Sequence, residues 1–529
     1  MTLLLFISML AVTNVYLVML IIHETHMFQQ NSYIYSRYLR WFLRNNDKRV
    51  LKKGIIGIFA APVIWLGYDN IAYICLIAYY LLMIFLHERK PEKKKLVYTG
   101  RIKRLFTVIS ILLLLNLLYI TAAYYDAFVK MEIYTAIHVV LLSLPQLIII
   151  LAAALIAPLE NFLSFFYIAD ARKMIRRHQK LIVVGITGSS GKTSTKNILN
   201  ELLRLKYNTL ITPESYNTTM GVVRTIREQL GPLHEVFIVE MGAKKRHDIE
   251  EICNVVYPLY GIITCIGQQH LETFKSTDNI IKTKFELFNA IPSYGAVFIN
   301  KDDENISSNF PEGSKRHISY SMRTANCDYY LHNVMSGSNG MKFTVTAADG
   351  GSQDFHTELL GKHNLYNILS AISCSCTLGM TLNETAGPVR GLKPVPHRLE
   401  LKKTDPSTYV IDDSYNSNPE GAKEALEVLG SFRDSKRILI TPGMVELGEK
   451  QEYFNRNFGR QAAENCDYII LVGRKQTLPI YEGLAEAGFD MGKCHTAADL
   501  NEAVKKLNEV KSEKNTVLFE NDLPDIYNG

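Results

Sequence analysis

The apolar residues are concentrated in the first third of the chain, in long runs that charged segments separate. About 20 helical residues cross the hydrocarbon core of a bilayer, so each run is long enough to be considered as a membrane span. The four runs cover residues 2–22, 54–86, 105–124 and 134–157. This pattern predicts an α-helical transmembrane domain over residues 1–170.

Basic residues cluster beside these runs, in residues 37–53, 89–104 and 172–180. Lys and Arg next to membrane spans favour the cytoplasmic side, and they can also bind anionic lipid headgroups. If the first two clusters share one side, residues 54–86 cross the membrane an even number of times. The polar turn at residues 67–70 then predicts a hairpin, with a re-entrant hairpin as the alternative because each arm is short.

With this hairpin, about five spans place the N-terminus outside the cell and everything after Pro158 in the cytoplasm. We therefore predict a multi-pass protein of the cytoplasmic membrane, with membrane lipids among its partners. A cleaved signal peptide is the competing interpretation of residues 2–22. That run, however, lacks a basic start and has no small-x-small cleavage site before His23.

Composition argues against two other classes of protein. The 58 Lys and Arg exceed the 52 Asp and Glu by only six charges, which does not indicate a nucleic-acid partner. The eight cysteines contain no C-x-x-C pair, which favours neither a disulfide framework nor a zinc site. We expect each cysteine to be a small buried side chain in a reducing compartment.

A strand, a glycine-rich turn and a helix are predicted after the third basic cluster. Residues 181–186 form a β-branched run typical of a buried parallel strand, and the turn T-G-S-S-G-K-T-S-T begins at Thr187. Backbone N–H groups of such a turn bind phosphates, Lys192 can reach the terminal phosphates, and the Thr193 hydroxyl can ligate Mg²⁺. The standard pattern has a glycine in place of Ile186. The alternative, a plain glycine turn, does not explain the Gly-Lys-Thr sequence.

Two further predicted strands lead into residues that can ligate a metal. Residues 236–239 are followed by Glu240, and residues 261–266 are followed by His270. Ligands of parallel sheets bind outside the carboxyl ends of the strands, so Glu240 is a candidate Mg²⁺ ligand. Taken alone, His270 is more typical of an ordinary loop histidine.

These blocks, taken with others farther along, resemble the Mur ligase family, ATP-dependent enzymes that join a carboxylate to an amino group in peptidoglycan precursor synthesis. Within the family they are most similar to the branch that adds D-alanyl-D-alanine. The resemblance covers about residues 181–520. The matching blocks lie, in chain order, at residues 187–193, 215–217 with Gly221, 240–243, 270–272, 283–288, Asn300 with 302–303, 361–367, 397–400, 411–419 and 443–448.

The resemblance implies a site for ATP and Mg²⁺. It assigns the ATP phosphates to the glycine-rich turn, with Arg398 on the γ-phosphate, and it assigns the adenine to Asn364 and Asn367 and the ribose to Asp413. For the two asparagines, helix capping after Gly361 is the alternative. The turn residues so assigned are Gly188, Ser189, Ser190, Gly191, Lys192, Thr193 and Ser194.

The metal ligands implied by the resemblance are Thr193, Glu240, His270 and Lys284. Lys284 matches a lysine that is carbamylated in much of the family. A carbamate converts the cation into an anion that can hold a second Mg²⁺ near the developing negative charge. An ordinary lysine on a helix surface is the alternative. Lys192, His270, Lys284 and Arg398 are thus the candidate catalytic residues.

The sequence also departs from the family. Soluble members carry an N-terminal domain that recognises uridine diphosphate, and here apolar runs occupy that part of the chain. A Lys-Gly-Ser-Arg run of the adding enzymes is replaced by residues 520–523, Glu-Asn-Asp-Leu. These differences leave both the acceptor and the amine undefined.

We expect three domains: the transmembrane domain, a central α/β P-loop domain over residues 171–398 and a smaller Rossmann-like domain over residues 399–529. The predicted activity joins an acceptor carboxylate, nucleotide-linked or lipid-linked, to an amino acid or dipeptide through an acyl phosphate. We expect the membrane domain itself to bind the acceptor. The alternatives are that it is only a membrane anchor or that a separate protein recognises the acceptor. The rival function is a membrane nucleotide sensor or transport component.

Overall fold

The computed structural model describes residues 2–45, 68–86, 95–125 and 144–522, except for residues 215, 312, 314, 338, 339 and 416. The chain divides into two compact units, the first within residues 1–165 and the second within residues 166–522. Only the second contains strands among the described residues. The limits of the three predicted domains remain predictions.

Long apolar helices make up the first unit. Three of them have an apolar stretch long enough to cross a membrane, namely Leu4–Gln30, Gly100–Tyr119 and Pro145–Arg177, and a shorter apolar stretch covers Asn70–Phe85. The helices are α1 (Thr2–Gln30), α2 (Tyr35–Asn45), α3 (Asp69–Phe85), α4 (Gly100–Tyr125) and α5 (Pro145–Arg177).

Two helix ends lie farther along the chain than the apolar runs predicted. α1 continues eight residues past Ile22, and α5 continues through Pro158, where the predicted apolar run has already ended. Polar residues can extend a helix because intrahelical hydrogen bonding does not depend on hydrophobicity. Residues 54–67 and 134–143, which carry the first hairpin arm and the start of the last run, lie outside the described residues.

Aromatic rings hold α1 against α3. The ring centroids of Phe6 and Tyr73 are 5.6 Å apart, and those of Tyr16 and Tyr80 are 5.5 Å apart. Tilted ring pairs at this distance add to the stabilisation that buried apolar area provides. The described second arm of the predicted hairpin therefore packs on the first helix.

A nine-stranded sheet organises the first part of the second unit, in the order β2-β3-β1-β4-β5-β6-β7-β8-β9. The pairs from β2 to β7 are parallel, and β7, β8 and β9 are antiparallel. The strands are β1 (Ile182–Thr187), β2 (Thr209–Ile211), β3 (Val236–Glu240), β4 (Tyr260–Ile263), β5 (Ala296–Asn300), β6 (His317–Ser321), β7 (Tyr329–Gly337), β8 (Gly340–Ala347) and β9 (Ser352–Thr357).

Helices of this part bury their apolar faces against the sheet in two clusters, one that includes Val184 and Ile368 and another that includes Val239 and Phe285. The helices are α6 (Lys192–Leu203), α7 (Thr219–Gln229), α8 (Asp248–Val256), α9 (Leu271–Phe274), α10 (Thr277–Ala290), α11 (Glu304–Ser307), α12 (Lys362–Thr377) and α13 (Leu382–Arg390).

A six-stranded sheet, in the order β10-β11-β15-β12-β13-β14, organises the rest of the unit. All of its pairs are parallel except the β10-β11 pair. The elements are β10 (Glu400–Asp405), β11 (Thr408–Asp413), α14 (Pro419–Gly430), β12 (Lys436–Thr441), α15 (Gln451–Asn465), β13 (Tyr468–Val472), α16 (Arg474–Glu486), β14 (Cys494–Ala497), α17 (Leu500–Val510) and β15 (Asn515–Glu520), with 3₁₀ turns at Gly448–Lys450 and Met491–Lys493.

The strand order places β1 at a switch point, because β3 lies on one side of it and β4 on the other. Ligands of open α/β sheets bind outside the carboxyl ends of the strands at such a point. The residues that follow β1, β3 and β4 therefore meet at one edge of the larger sheet.

We predict that Gly483→Ala lowers the free energy of unfolding of the full-length protein by about 2 kcal/mol, because overpacking a close contact costs 1–3 kcal/mol. A Cβ atom on Gly483 of α16 would lie 2.0 Å from the Arg456 carbonyl oxygen of α15, which is backbone and cannot rotate away. Chemical denaturation followed by circular dichroism measures the change.

The matched control is Gly387→Ala in α13, where an added Cβ meets nothing within 4 Å. This variant should be unchanged or more stable by about 0.5 kcal/mol, since alanine loses less chain entropy on folding. Equal stability of the two variants would show that α15 and α16 are not packed as closely as described.

Candidate active site

The turn between β1 and α6 leaves a helix N-terminus open to an anion. α6 begins at Lys192, and Gly191 before it has a φ of 78°, in the left-handed region that favours glycine. No side chain caps this helix. The N–H groups of its first turn have no intrahelical partner and, with the helix dipole, suit a phosphate.

The loop that follows β4 holds this turn in place. The Ser189 N–H donates to the Cys265 carbonyl over 2.8 Å, the Ser189 hydroxyl donates to the Gly267 carbonyl over 2.9 Å, and Thr264 Oγ1 donates to the Ser190 carbonyl over 2.6 Å. A Cβ on Gly188 would lie 1.9 Å from Thr264 Oγ1. Only glycine therefore allows the two loops to approach this closely.

Two predicted phosphate-binding side chains have partners inside the protein. The Ser190 hydroxyl lies 2.9 Å from Cys265 Sγ, and the backbone N–H of Ser190 donates to the same sulfur. The Ser189 hydroxyl is engaged by Gly267. The backbone from Gly191 onward, which includes Lys192, Thr193 and Ser194, is the part of the turn that these contacts leave open, and the predicted phosphate contacts remain predictions.

Lys192 stands at the centre of the predicted catalytic residues. Its Nζ donates to the Gly188 carbonyl over 2.7 Å, and burial lowers the pKa of Lys192 against the opposing effect of Glu240. Arg398, His270 and Lys284 also lie within electrostatic reach of this ammonium. The structure thus brings four of the predicted site residues around the fifth.

Sequence reasoning missed Lys196. Its Nζ lies 3.2 Å from Glu240 Oε2, both side chains are only 1% exposed, and it donates to the Thr212 carbonyl over 2.8 Å. Asn217 donates to the other Glu240 oxygen over 3.0 Å. The position of Lys196 one helical turn after Lys192 was the available signal, because residues four apart share a helix face.

Glu446 of the second sheet orients His270. Glu446 Oε2 lies 2.6 Å from His270 Nδ1, and burial lowers the pKa of His270, which favours the neutral imidazole that metals bind. A metal-ligating histidine usually donates its other ring N–H to a carboxylate in this way. Glu446 lies in the 443–448 block, but nothing in the sequence pairs it with His270.

Lys284 is buried in α10 and has no hydrogen bond or ion pair among the described residues. Burial, with a further effect of Lys192, lowers the pKa of Lys284 to about 7. The alternative of an ordinary surface lysine is therefore wrong. A lysine with this pKa is partly neutral at physiological pH, and a neutral amine is the form that reacts with CO₂.

Asn364 and Asn367 are buried on α12 and lie beside the turn. The side-chain amide nitrogen of Asn367 donates to Asn364 Oδ1 over 3.2 Å. Oδ1 of Asn367 accepts from the Thr195 hydroxyl of α6, also over 3.2 Å. Asn364 donates to the Leu360 carbonyl over 2.7 Å. No side chain caps α12 at Gly361, so these two residues do not have the capping role considered from the sequence. Their predicted contact with adenine remains a prediction.

Arg398 and Asp413 come from the start of the second sheet. The Arg398 guanidinium lies 4.2 Å from the centre of the Tyr415 ring, and Asp413 Oδ1 accepts from the Leu399 N–H over 3.1 Å. Burial raises the pKa of Asp413, and Glu520 stands opposite it in the neighbouring strand. The γ-phosphate and ribose contacts predicted for Arg398 and Asp413 remain predictions.

The groups left open around Lys192 fit Mg²⁺ bound together with a nucleotide. Among the described residues, no three His, Cys, Asp or Glu side chains form a ready metal cluster. Glu240 Oε2 has the Lys196 ammonium 3.2 Å away, so Mg²⁺ would bind this oxygen in place of that ammonium, whereas the His270 contact to Glu446 uses Nδ1 and leaves Nε2. Mg²⁺ takes few carboxylates and completes its octahedron with phosphate oxygens and water, so this sparse set suits it.

Together, the switch-point sheet and the open glycine-rich turn define a P-loop nucleotide-binding protein whose site is completed by a second α/β domain. Comparison of the sequence agrees. The family profile described as Mur ligase middle domain matches residues 186–375, and the profile described as Mur ligase, glutamate ligase domain, matches residues 397–520. The two cover more than half of the chain, which belongs to the Mur ligase family. The predictions of this family, of its two α/β domains and of an ATP-dependent ligase are confirmed.

Curated relatives include two enzymes named UDP-N-acetylmuramoyl-tripeptide--D-alanyl-D-alanine ligase. The Bacillus subtilis (strain 168) enzyme is 28% identical over 339 residues, which are 64% of this chain and 72% of that relative. The Escherichia coli (strain K12) enzyme is 31% identical over 303 residues, 57% of this chain and 66% of that relative. The chain thus spans slightly less than two thirds of the second relative.

Solved structures share the fold. MurF from Acinetobacter baumannii superposes with a TM-score of 0.62 at 24% identity, over 68% of this chain and 77% of that one. The MurF ligase from Thermotoga maritima, solved in complex with ADP, gives a TM-score of 0.61 at 23% identity, over 69% and 81% of the two chains. At these identities the likeness establishes the architecture of the second unit.

We predict that Lys196→Met lowers the free energy of unfolding of the full-length protein by about 3 kcal/mol, because it leaves the buried Glu240 without its cation. The double variant Lys196→Met with Glu240→Gln should recover part of this loss. Lys282→Met is the control: it removes an exposed pair with Asp278, at 2.6 Å, and should cost about 0.5 kcal/mol or less.

Chemical denaturation of the four proteins in the same detergent measures both effects. If Lys196→Met is as stable as Lys282→Met, Lys196 and Glu240 do not form a buried ion pair, and Glu240 is solvated instead.

Proposed function

We propose that the protein is a membrane-anchored, ATP- and Mg²⁺-dependent ligase that joins an acceptor carboxylate to an amine in the synthesis of a peptidoglycan precursor. The observation that carries this proposal is the gathering of Glu240, His270, Lys284 and Arg398 around Lys192, inside the two domains of the Mur ligase family. The rival sensor or transport function has no use for the second domain.

In the proposed reaction the acceptor carboxylate attacks the γ-phosphate of ATP, ADP leaves, and the amine then displaces phosphate from the acyl phosphate. Lys192 and Arg398 neutralise charge on the transferring phosphoryl group, and the first-turn N–H groups of α6 hold the phosphates. The second domain supplies Glu446, which fixes the ring of His270. Excluding water between the domains protects the acyl phosphate from hydrolysis.

Mg²⁺, when bound, would supply positive charge that offsets the negative charge developing during phosphoryl transfer. Thr193, Glu240 and His270 are the proposed ligands, and Lys284 is proposed to join them as a carbamate. The neighbourhood of Lys192 and the lowered pKa of Lys284 support this assignment. Adenine is assigned to Asn364 and Asn367, and ribose to Asp413.

The relatives' name specifies a UDP-N-acetylmuramoyl-tripeptide and D-alanyl-D-alanine as their substrates. We propose a muramoyl-peptide acceptor for this chain as well, held at the membrane surface and lipid-linked. The apolar helices that the structure describes before Leu181 support a lipid-linked form.

Membrane anchoring is supported by the three long apolar helices and by one contact between their ends. Gln29 at the end of α1 donates to the Val97 carbonyl over 2.9 Å and accepts from the Val97 N–H over 3.0 Å. Val97 lies just before α4, so the end of α1 and the start of α4 lie at one end of the described helices, and Arg37 and Arg40 of α2 and Arg101 of α4 are close to this contact in the chain. Basic residues beside apolar helices support a cytoplasmic position for this end.

The test is release of phosphate from ATP by the full-length protein in detergent. It should require both an acceptor and an amine. Lys192→Ala should lower the rate at least about 100-fold, because it removes a cation that stabilises the transition state. Lys301→Ala, which lies outside the site, should keep the rate within about twofold. Phosphate release that needs no amine would exclude the ligase and favour the rival function.

Lys284→Ala should be nearly inactive, and millimolar formate or acetate should partly restore it by supplying the missing anion. The carbamate itself should give a ¹³C signal after incubation of the native protein with ¹³C-bicarbonate, and this signal should be absent in Lys284→Ala. Because the neutral amine reacts, the signal should grow as the pH rises from 6 to 8 through the pKa of about 7.

Lys282→Ala on the same helix should retain both the signal and the activity. An unchanged ¹³C spectrum in Lys284→Ala would refute the carbamate at this position, whatever the activity of that variant.

A further inference from the structure

A cluster of buried polar side chains occupies the C-terminal end of α1. Glu24, Thr25, His26 and Asn31 are each at most 2% exposed, although α1 is otherwise an apolar helix. The sequence predicted a span that ends before His23, so this cluster was not anticipated. Polar and ionisable groups inside a membrane domain are costly, and they usually mark a functional site.

The cluster joins two helices of the first unit. Tyr38 of α2, itself fully buried, donates its hydroxyl hydrogen to Glu24 Oε2 over 2.6 Å. Its ring packs on Phe28 with the centroids 5.3 Å apart, which fixes α2 against the end of α1. The Glu24 carboxylate is therefore held in a defined position and keeps further acceptor capacity.

Two atoms of the cluster have unused hydrogen-bonding capacity. Thr25 Oγ1 and Asn31 Oδ1 are buried and have no hydrogen-bond partner among the residues that the structure describes, while the Asn31 amide donates to the Met27 carbonyl over 2.8 Å. Thr13, in the same helix, is equally buried but donates to the Met9 carbonyl over 2.7 Å. A buried polar atom without a partner costs about 1–3 kcal/mol, so Thr25 and Asn31 are the atoms that a ligand would satisfy.

The depth of the cluster is set by the length of α1. Its 29 residues extend over about 43 Å, whereas the hydrocarbon core is about 30 Å thick, so the last two turns reach the headgroup level. The exposed side chains of Tyr35, Leu39 and Leu43 form one stripe on α2, as in a helix that lies in the membrane interface. Arg37 and Arg40 on α2 assign this end to the cytoplasmic side.

We propose that this cluster binds the uncharged sugar part of a membrane glycolipid. The buried groups offer a carboxylate, hydroxyls and an amide, which match sugar hydroxyl and N-acetyl groups. In the described part of the first unit no Lys or Arg is buried with them, so these groups offer no cation to a phosphate. The inference rests on the proposed function, because the bound glycolipid is the lipid-linked acceptor of the ligase reaction.

Binding of two probes to the full-length protein in lipid nanodiscs tests the proposal without ATP. One probe is farnesyl diphosphate that carries an N-acetylglucosaminyl-N-acetylmuramoyl disaccharide, and the other is farnesyl diphosphate alone. Thr25→Val and Glu24→Gln should each weaken binding of the first probe about tenfold, the effect of about 1.4 kcal/mol from one hydrogen bond. Neither variant should change binding of the second probe.

Thr13→Val is the control, because it removes a hydroxyl that is buried at the same level of exposure in the same helix. It should leave the affinity for both probes within about twofold. Thr25→Val should not lower the thermal midpoint of unfolding, since the lost hydroxyl has no partner in the described part of the chain. If Thr25→Val does not fold, Glu24→Gln decides the outcome, because glutamine can still accept from Tyr38.

Native affinity for the glycolipid in both variants would overturn the proposal, and so would equal affinity of the native protein for the two probes. The ligase function is judged separately by formation of the amide product with ATP. Sugar-dependent binding without amide product would support the glycolipid site and contradict the ligase function. Formation of the product together with unaltered binding in both variants would support the ligase function and contradict the glycolipid site.

Discussion

The attachment of the glycine-rich turn to the loop after β4 is the constraint on which the catalytic region depends. The backbone and hydroxyl of Ser189 are bound by Cys265 and Gly267, and Thr264 reaches the Ser190 carbonyl. These bonds exist because β1 and β4 are adjacent parallel strands whose carboxyl ends share one edge. These hydrogen bonds leave the first-turn N–H groups of α6 available to a phosphate. They also fix the backbone from which the Lys192 side chain extends.

Carboxylates of the second domain connect it to this edge. Glu446 binds His270, Glu424 lies 2.8 Å from His363 Nδ1, and Glu420 accepts from the Gln268 N–H over 3.4 Å. Although burial opposes it, Glu424 raises the pKa of His363. The interaction therefore stabilises the folded protein at low pH and weakens as the pH rises through the folded pKa. The contact between the two α/β domains therefore depends on the charge of His363.

The sequence allowed the strand, turn and helix around Lys192 to be predicted, because local spacing and β-branched runs encode them. It also predicted that Glu240 and His270 follow parallel strands, and the strands before them, β3 and β4, do flank β1. Their binding of one metal remains a prediction. Lys196 and Glu446 were missed for a physical reason: their partners lie 44 and 176 residues away, and no local pattern records a pairing made by strand order. The buried end of α1 was missed because hydropathy ended the span at the first charge.

The pair Asp413 and Glu520 gives a physical meaning to the departure from the family at residues 520–523. Glu520 is buried at the end of β15, accepts from the Ser417 hydroxyl over 2.6 Å and stands in register with Asp413. Burial raises the pKa of both carboxyls; Asp413 raises the pKa of Glu520 further, whereas the hydrogen bond from Glu520 lowers the pKa of Asp413, so the pair holds one proton and it lies on Glu520. The pair therefore carries one negative charge at a position where the resemblance to the adding branch implies a cation. A substrate carboxylate cannot be neutralised by this pair, and Arg398 is the cation near it.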